Sequence, residues 1–174
     1  MYFKILKQVQ SGLKPLTVVV GITLCVGVAI YAVVAPFLGF DSPLQARLAA
    51  LPPLYFLAHT FAGAVALLMV PIQIFSALER RAIHSLCGRI YVVAVLVSTM
   101  GGYYLAWNAF GGLSSRFALT SLATLWWTTT LIAVMSIIQG NREAHRRWML
   151  RSVALTTAAI TLRILSPLFH HYFD

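Results

Sequence analysis

Residues 141–171 read NREAHRRWMLRSVALTTAAITLRILSPLFHH. This stretch opens with a basic, histidine-bearing turn. It continues through about one membrane's worth of mostly apolar residues and closes on two histidines. At ~100° per residue, His145, Ser152, Thr156, Arg163 and His170 fall on one helical face. A polar line on an apolar helix is costly against lipid, so it is expected to face into a bundle. The rest of the chain reads as the walls around that line.

Composition sets the compartment. The 174 residues are 60% hydrophobic and only 10% charged, with a mean hydropathy of +0.84. Soluble domains carry roughly 25% charged residues, so this chain lacks the charge to solvate a globular surface and reads as an integral membrane protein. One all-α bundle uses residues 1–174 as a single domain. The net charge of +9 would suggest nucleic acid in a soluble protein. Here the basic residues flank apolar runs, so they record topology and contact with anionic lipid headgroups, not nucleic acid. Cys25 and Cys87 lie in separate apolar runs with no CxxC spacing, which argues against a disulfide framework or a zinc site.

Five apolar segments follow in order, at about residues 16–38, 54–78, 86–107, 117–138 and 148–169. The first is long enough to cross a core of ~30 Å and too long for a cleaved signal peptide, so it reads as a retained anchor. Asp41 in the loop that follows is a candidate cap. Gly111-Gly112 and Gly140 punctuate the later turns. Counted by side, Lys4, Lys7, Lys14, Arg80, Arg81, Arg89, Arg142, Arg146, Arg147 and Arg151 stand against Arg47, Arg116 and Arg163. That asymmetry places the N-terminus in the cytoplasm and the C-terminus outside, with the protein multi-pass in the cell membrane.

Each later segment carries a small or polar face. These faces are His59, Gly63, Ala66, Val70 and Gln73 on the second, and His84, Gly88, Tyr91, Ser98 and Gly102 on the third. On the fourth, Ser121, Thr124 and Thr128 are within reach of one another. Small residues let membrane helices approach, and hydroxyls bond across or to their own backbone, so ordinary packing accounts for most of these positions. Trp126-Trp127 is expected to fill the core, with flanking a ring cofactor as the alternative. Arg163 is placed ~22 Å into the core. There it either snorkels outward or meets an anionic group such as a haem propionate or a lipid phosphate.

The histidines are the residues suited to redox or metal chemistry, with an interfacial role among lipid headgroups as the alternative for His84 and His145, which sit among arginines. His84 and His145 sort to the cytoplasmic ends of their helices; His59, His170 and His171 sort to the outer ends. Two axial imidazoles on facing helices make a b-type haem site. His84 with His145 and His59 with His170 are therefore candidate haem iron ligands, one pair per leaflet, and Arg163 is a further cofactor-binding candidate. His171 points ~100° away from His170 and is expected to be dispensable. That arrangement would make the protein a redox module passing electrons to a quinone or a protein partner. The alternative is a non-enzymatic assembly, interaction or lipid-binding protein, suggested by short loops and no nucleophile or phosphate motif. A transporter is disfavoured because no acidic residue lies within an apolar segment.

Several motifs also carry a resemblance. The run His84-Ser-Leu-Cys-Gly-Arg-Ile-Tyr91, then Gly111-Gly112 and Phe117, then His145-Arg-Arg-Trp-Met149 with Arg151, then Leu162-Arg163, resembles the predicted integral membrane proteins grouped as domain of unknown function 2306. The similarity covers about Leu54 to Pro167. It implies a multi-span protein of the cell membrane and no established activity. The last segment and the histidines are also similar, at the level of fold analogy, to small haem-binding membrane bundles.

Overall fold

The computed structural model describes residues 15–34, 51–79, 81–109 and 112–173, and within them the side chains other than those of residues 15–17, 77–79, 163, 164 and 166–173. The described residues form five α-helices: α1 (Pro15–Val34), α2 (Pro53–Glu79), α3 (Arg81–Trp107), α4 (Gly112–Ile138) and α5 (Arg142–Phe173). Three carry stretches long and apolar enough to cross a membrane, Pro53–Ser76, Arg81–Trp107 and Gly112–Ile138, and α1 contributes a shorter apolar stretch, Val18–Val34. Asp41 and the lysines before α1 lie outside the described residues.

The helices begin earlier than the apolar runs because polar residues extend them. α3 starts at Arg81, not at Leu86, so His84 sits in its first turn instead of before it. α5 starts at Arg142, not at Trp148, which brings His145 into the helix. The α4–α5 corner shows why the break falls where it does. Gly140 adopts φ +76°, a left-handed conformation that costs glycine little. Its N–H donates to the Ile137 carbonyl at 3.0 Å and that of Asn141 to the Ser136 carbonyl at 2.9 Å, closing α4 as a Schellman turn. The Asn141 side-chain oxygen then accepts the Ala144 N–H at 2.9 Å, capping α5.

Successive helices pack side by side, and α5 returns to touch both α1 and α2. The bundle therefore closes on itself. The most extensive interface is α2 against α3, and glycines explain it. A Cβ at Gly63 would lie 3.2 Å from Ser98 Oγ, one at Gly88 3.2 Å from Gln73 Nε2, and one at Gly102 3.1 Å from His59 Nδ1. Each polar side chain of one helix is thus seated on a glycine of the other. Gly101 brings the backbones themselves together, since a Cβ there would be 2.5 Å from the Tyr55 carbonyl oxygen. Close approach of this kind lets membrane helices gain packing and hydrogen bonds where lipid offers no hydrophobic drive.

The core beside this interface consists of Ala66, Val70, Tyr91, Ala94 and Val95, with Trp126 and Trp127 packed against it. The tryptophan pair packs, partly buried, against this core. A second cluster, Cys25, Ala29, Ala64 and Leu67, ties α1 to α2. Both cysteines are free.

Candidate functional site

The polar positions gather in three places. The first is the α2–α3 seam. His59 Nδ1–H donates to the Ser98 carbonyl at 2.8 Å, and Ser98 Oγ–H donates back to the His59 carbonyl at 2.9 Å. The carbonyl can only accept, so Nδ1 carries a proton in this contact. One end of the same seam is held by Gln73, whose side-chain N–H donates to the His84 carbonyl at 2.9 Å.

The second place is a hydroxyl cluster joining α3, α4 and α5. Tyr91 OH lies 2.7 Å from both Ser152 Oγ and Thr156 Oγ1, and Thr130 Oγ1 lies 2.6 Å from Ser152 Oγ. Thr156 also reaches the Ser152 carbonyl at 2.9 Å and Thr130 the Trp126 carbonyl at 2.8 Å. Five contacts thus share the four protons of Tyr91, Ser152, Thr156 and Thr130, and each hydroxyl donates once. At any instant one contact holds no proton. The Trp126 indole N–H adds its own bond to Thr156 Oγ1 at 3.0 Å. Tyr91 and Ser152 are fully buried and Thr156 is 3% exposed, so the cluster is closed to bulk solvent.

The third place is the basic end. His145 Nδ1–H donates to the Ala133 carbonyl at 2.8 Å, and His145 and His84 are close enough for their charges to interact. His84 Nδ1 is buried with no hydrogen-bond partner among the described residues, as are Ser76 Oγ and Thr99 Oγ1. Around this end stand Arg81, Arg89, Arg142, Arg146, Arg147 and Arg151. Arg147 meets Glu143 at 3.2 Å on the exposed surface, where such a pair contributes little. Arg151 lies 4.2 Å over the Trp148 ring.

Between α1 and the other four helices lies a cavity of about 240 Å³. α1 gives it only Val28, Ala29 and Ala32, whereas His59, Thr99 and Trp126 stand on the other walls. It is therefore a mostly apolar space with polar groups on one side.

The polar line of α5 turns inward at the positions whose side chains are described. Ser152 and Thr156 are buried in the hydroxyl cluster, and His145 bonds across to α4. The side chains of Arg163, His170 and His171 lie outside the described residues, and with them the pairing of His59 with His170. Among the described residues no three His, Cys, Asp or Glu side chains come together as a metal site. Sequence reasoning missed Thr130, Thr99 and the cavity. Thr130 follows two other threonines, and only the rotation of α4 decides which of the three reaches α5.

The model of the family described as "Predicted membrane protein (DUF2306)" matches residues 56–174. No curated protein matches the chain significantly, and no solved structure does. The family segment begins within α2, so it supplies the seam, the hydroxyl cluster, the basic end and the polar walls of the cavity, while α1 stands before it. With the match covering most of its length, the chain belongs to the domain of unknown function 2306 family of predicted membrane proteins.

Proposed function

We propose that this protein is a membrane-embedded binding module, multi-pass in the cell membrane with five spans and a cytoplasmic N-terminus, that holds a small membrane-soluble molecule within its bundle. The observation that carries this reading is the cavity of about 240 Å³ walled by all five helices. Ligand sites are concave, mostly apolar and fitted with a few convergent polar groups, and they occur between the helices of bundles. The basic end, with Glu143 its one described acidic side chain, suits the headgroups of anionic lipids and would anchor the bundle at the cytoplasmic face.

The test compares small molecules that copurify with the full chain and with Ala159→Phe, which fills the cavity from α5. Mass spectrometry of the solvent extract should find a low-mass species with the native chain that is depleted in the variant. An identical extract from both would overturn the reading.

A b-type haem serving electron transfer to a quinone or protein partner is the second reading. It is favoured by one observation: His59 and His145 each give Nδ1–H to a main-chain carbonyl of another helix. Ligating imidazoles are oriented in this way, with Nε2 directed to the metal. His84, His170 and Arg163 would complete the two sites. The cavity falls below the ~300 Å³ at which drug-sized ligands begin to be accommodated, so a macrocycle is placed second to a smaller guest. A Soret band with sharp reduced α and β bands in protein purified from haem-replete cells would reverse that order.

A further inference from the structure

The cavity also shows where its guest is held. We propose that Thr60 on α2 is the anchor of the site and that it binds a hydroxyl group carried on a small apolar ring. The inference rests on the cavity-binding reading above and narrows it.

Size comes first. An engineered cavity of ~150 Å³ lined by apolar side chains holds benzene, and drug-sized ligands need ~300 Å³ or more. At about 240 Å³ this space suits one substituted ring.

The polar side chains on its walls are those of His59, Thr60, Ser98, Thr99, Trp126 and Thr156. Their hydrogen bonds decide which can hold a guest. The His59 Nδ1–H is taken by the Ser98 carbonyl, the Ser98 hydroxyl by the His59 carbonyl and the Trp126 N–H by Thr156. The Thr156 hydroxyl is engaged by Tyr91 and by the Ser152 carbonyl. Thr99 Oγ1 has no partner among the described residues, but the protein encloses it and closes it to the cavity. Thr60 differs from all of these. It is 5% exposed. Its hydroxyl bonds to no described residue, yet its oxygen is not one of the enclosed atoms. An unbonded oxygen that is not enclosed borders open space, and the space beside Thr60 is the cavity.

The neighbouring residues explain why that hydroxyl is open. Ala64 stands one turn further along α2 and packs with Ala29 of α1. Both line the cavity, and their short side chains leave room where larger ones would fill the space.

A guest hydroxyl uses this position fully. It donates to Thr60 Oγ1, and the Thr60 proton then turns to the Phe56 carbonyl one turn back, the partner that a helical threonine commonly takes. Threonine χ1 divides between two rotamers in a helix, so that turn is open to it. Both protons are then placed. A carbonyl guest would gain only the single bond from Thr60, so the hydroxyl is the better match.

The experiment uses the full chain in detergent micelles with cyclohexanol and methylcyclohexane, rings of similar shape with and without the hydroxyl. Affinity is read from the ligand-dependent rise in Tm. Thr60→Val keeps the shape of the side chain and breaks no bond to a described residue, so without ligand it should melt no lower than the native chain. It should bind cyclohexanol about five-fold more weakly, the worth of one neutral hydrogen bond, and methylcyclohexane as before. Thr60→Ser should retain cyclohexanol binding, and Thr99→Val should leave it unchanged. Undiminished cyclohexanol binding by Thr60→Val, or an equal loss in Thr99→Val, overturns the anchor. Cyclohexanone binding the native chain more tightly than cyclohexanol overturns the choice of a hydroxyl. If methylcyclohexane raises the Tm of the native chain but not of Ala159→Phe, the cavity reading stands even where the anchor has failed. If no probe raises the Tm of the native chain, both fall together.

Discussion

The α2–α3 seam and the α3–α4–α5 hydroxyl cluster are both buried, both polar and both shared by neighbouring helices, yet they are built on opposite plans. In the seam His59 and Gln73 each rest on a glycine opposite and find a backbone partner: His59 on Gly102 with the Ser98 carbonyl, Gln73 on Gly88 with the His84 carbonyl. In the cluster the hydroxyls of Tyr91, Ser152, Thr156 and Thr130 share partners, and contacts outnumber protons. Backbone partners fix geometry, because a carbonyl has one place and one role. Hydroxyl partners allow exchange, because each can rotate and either donate or accept. The seam is thus the rigid half of the bundle and the cluster its adaptable half. The cavity lies between them and takes His59 from one and Trp126 and Thr156 from the other.

The largest effect should come from breaking the seam at its closest point. A Cβ at position 101 would lie 2.5 Å from the Tyr55 carbonyl oxygen and 2.9 Å from the His59 nitrogen. Both are main-chain atoms, so the helices must part. Gly101→Ala should destabilise the bundle by about 3 kcal/mol, at the upper end of ordinary overpacking, and should reduce the amount of folded protein in the membrane. Gly63→Ala is the control. Its Cβ would meet only Ser98 Oγ, at 3.2 Å, and a hydroxyl can turn aside at the cost of the bond it donates to the His59 carbonyl, about 1 kcal/mol. Denaturation in mixed micelles separates the two; equal losses would mean that the backbones at Gly101 are not held as close as described.

A smaller effect sharpens the comparison at the seam's exception. His59 and His84 face the same interface, yet only His59 has its Nδ1 matched. His59→Leu should cost about 1 kcal/mol, the scale of one hydrogen bond between membrane helices. His84→Leu should cost less than His59→Leu, because the Nδ1 it removes is buried with no partner among the described residues. If His84→Leu proves the more damaging in the same assay, that nitrogen has work to do at the basic end, and the haem reading of His84 with His145 gains ground.

How far the sequence foretold this arrangement depends on which half is considered. The seam was legible. His59, Gly63, Ala66, Val70 and Gln73, and likewise His84, Gly88, Tyr91, Ser98 and Gly102, repeat at the helical period, and the two faces do meet. Small residues among large apolar ones mark a face whatever the neighbouring helix does. The cluster was only half legible. Ser152 and Thr156 stand out on α5 because their neighbours on that face are polar too. Thr130 does not stand out, because apolar residues are spread almost evenly around α4 and Thr128, Thr129 and Thr130 each bond to the backbone of their own helix. Nothing local tells the three apart. Thr99 was hidden for a related reason: its distinction is a hydrogen bond it does not make, and a sequence records residues, not unmade bonds. The cavity was invisible because it is defined by how five helices fail to fill one space.

The smallest effect tests the proton count in the cluster. Tyr91→Phe removes one hydroxyl proton and two contacts, those to Ser152 and Thr156. Three contacts then remain for three protons: Thr156 to the Ser152 carbonyl, Thr130 to the Trp126 carbonyl and Ser152 to Thr130. The shortage disappears and no donor is stranded, so the change should cost only about 0.5 kcal/mol despite the complete burial of the side chain. Thr156→Val removes one hydroxyl as well, but it takes away the acceptor of the Trp126 indole N–H. A buried donor left without a partner costs about 1–3 kcal/mol, so Thr156→Val should be clearly the worse of two single-hydroxyl deletions. If Tyr91→Phe were as costly as Thr156→Val, the phenol would be supplying a bond that the remaining hydroxyls cannot replace. The cluster would then be as rigidly specified as the seam.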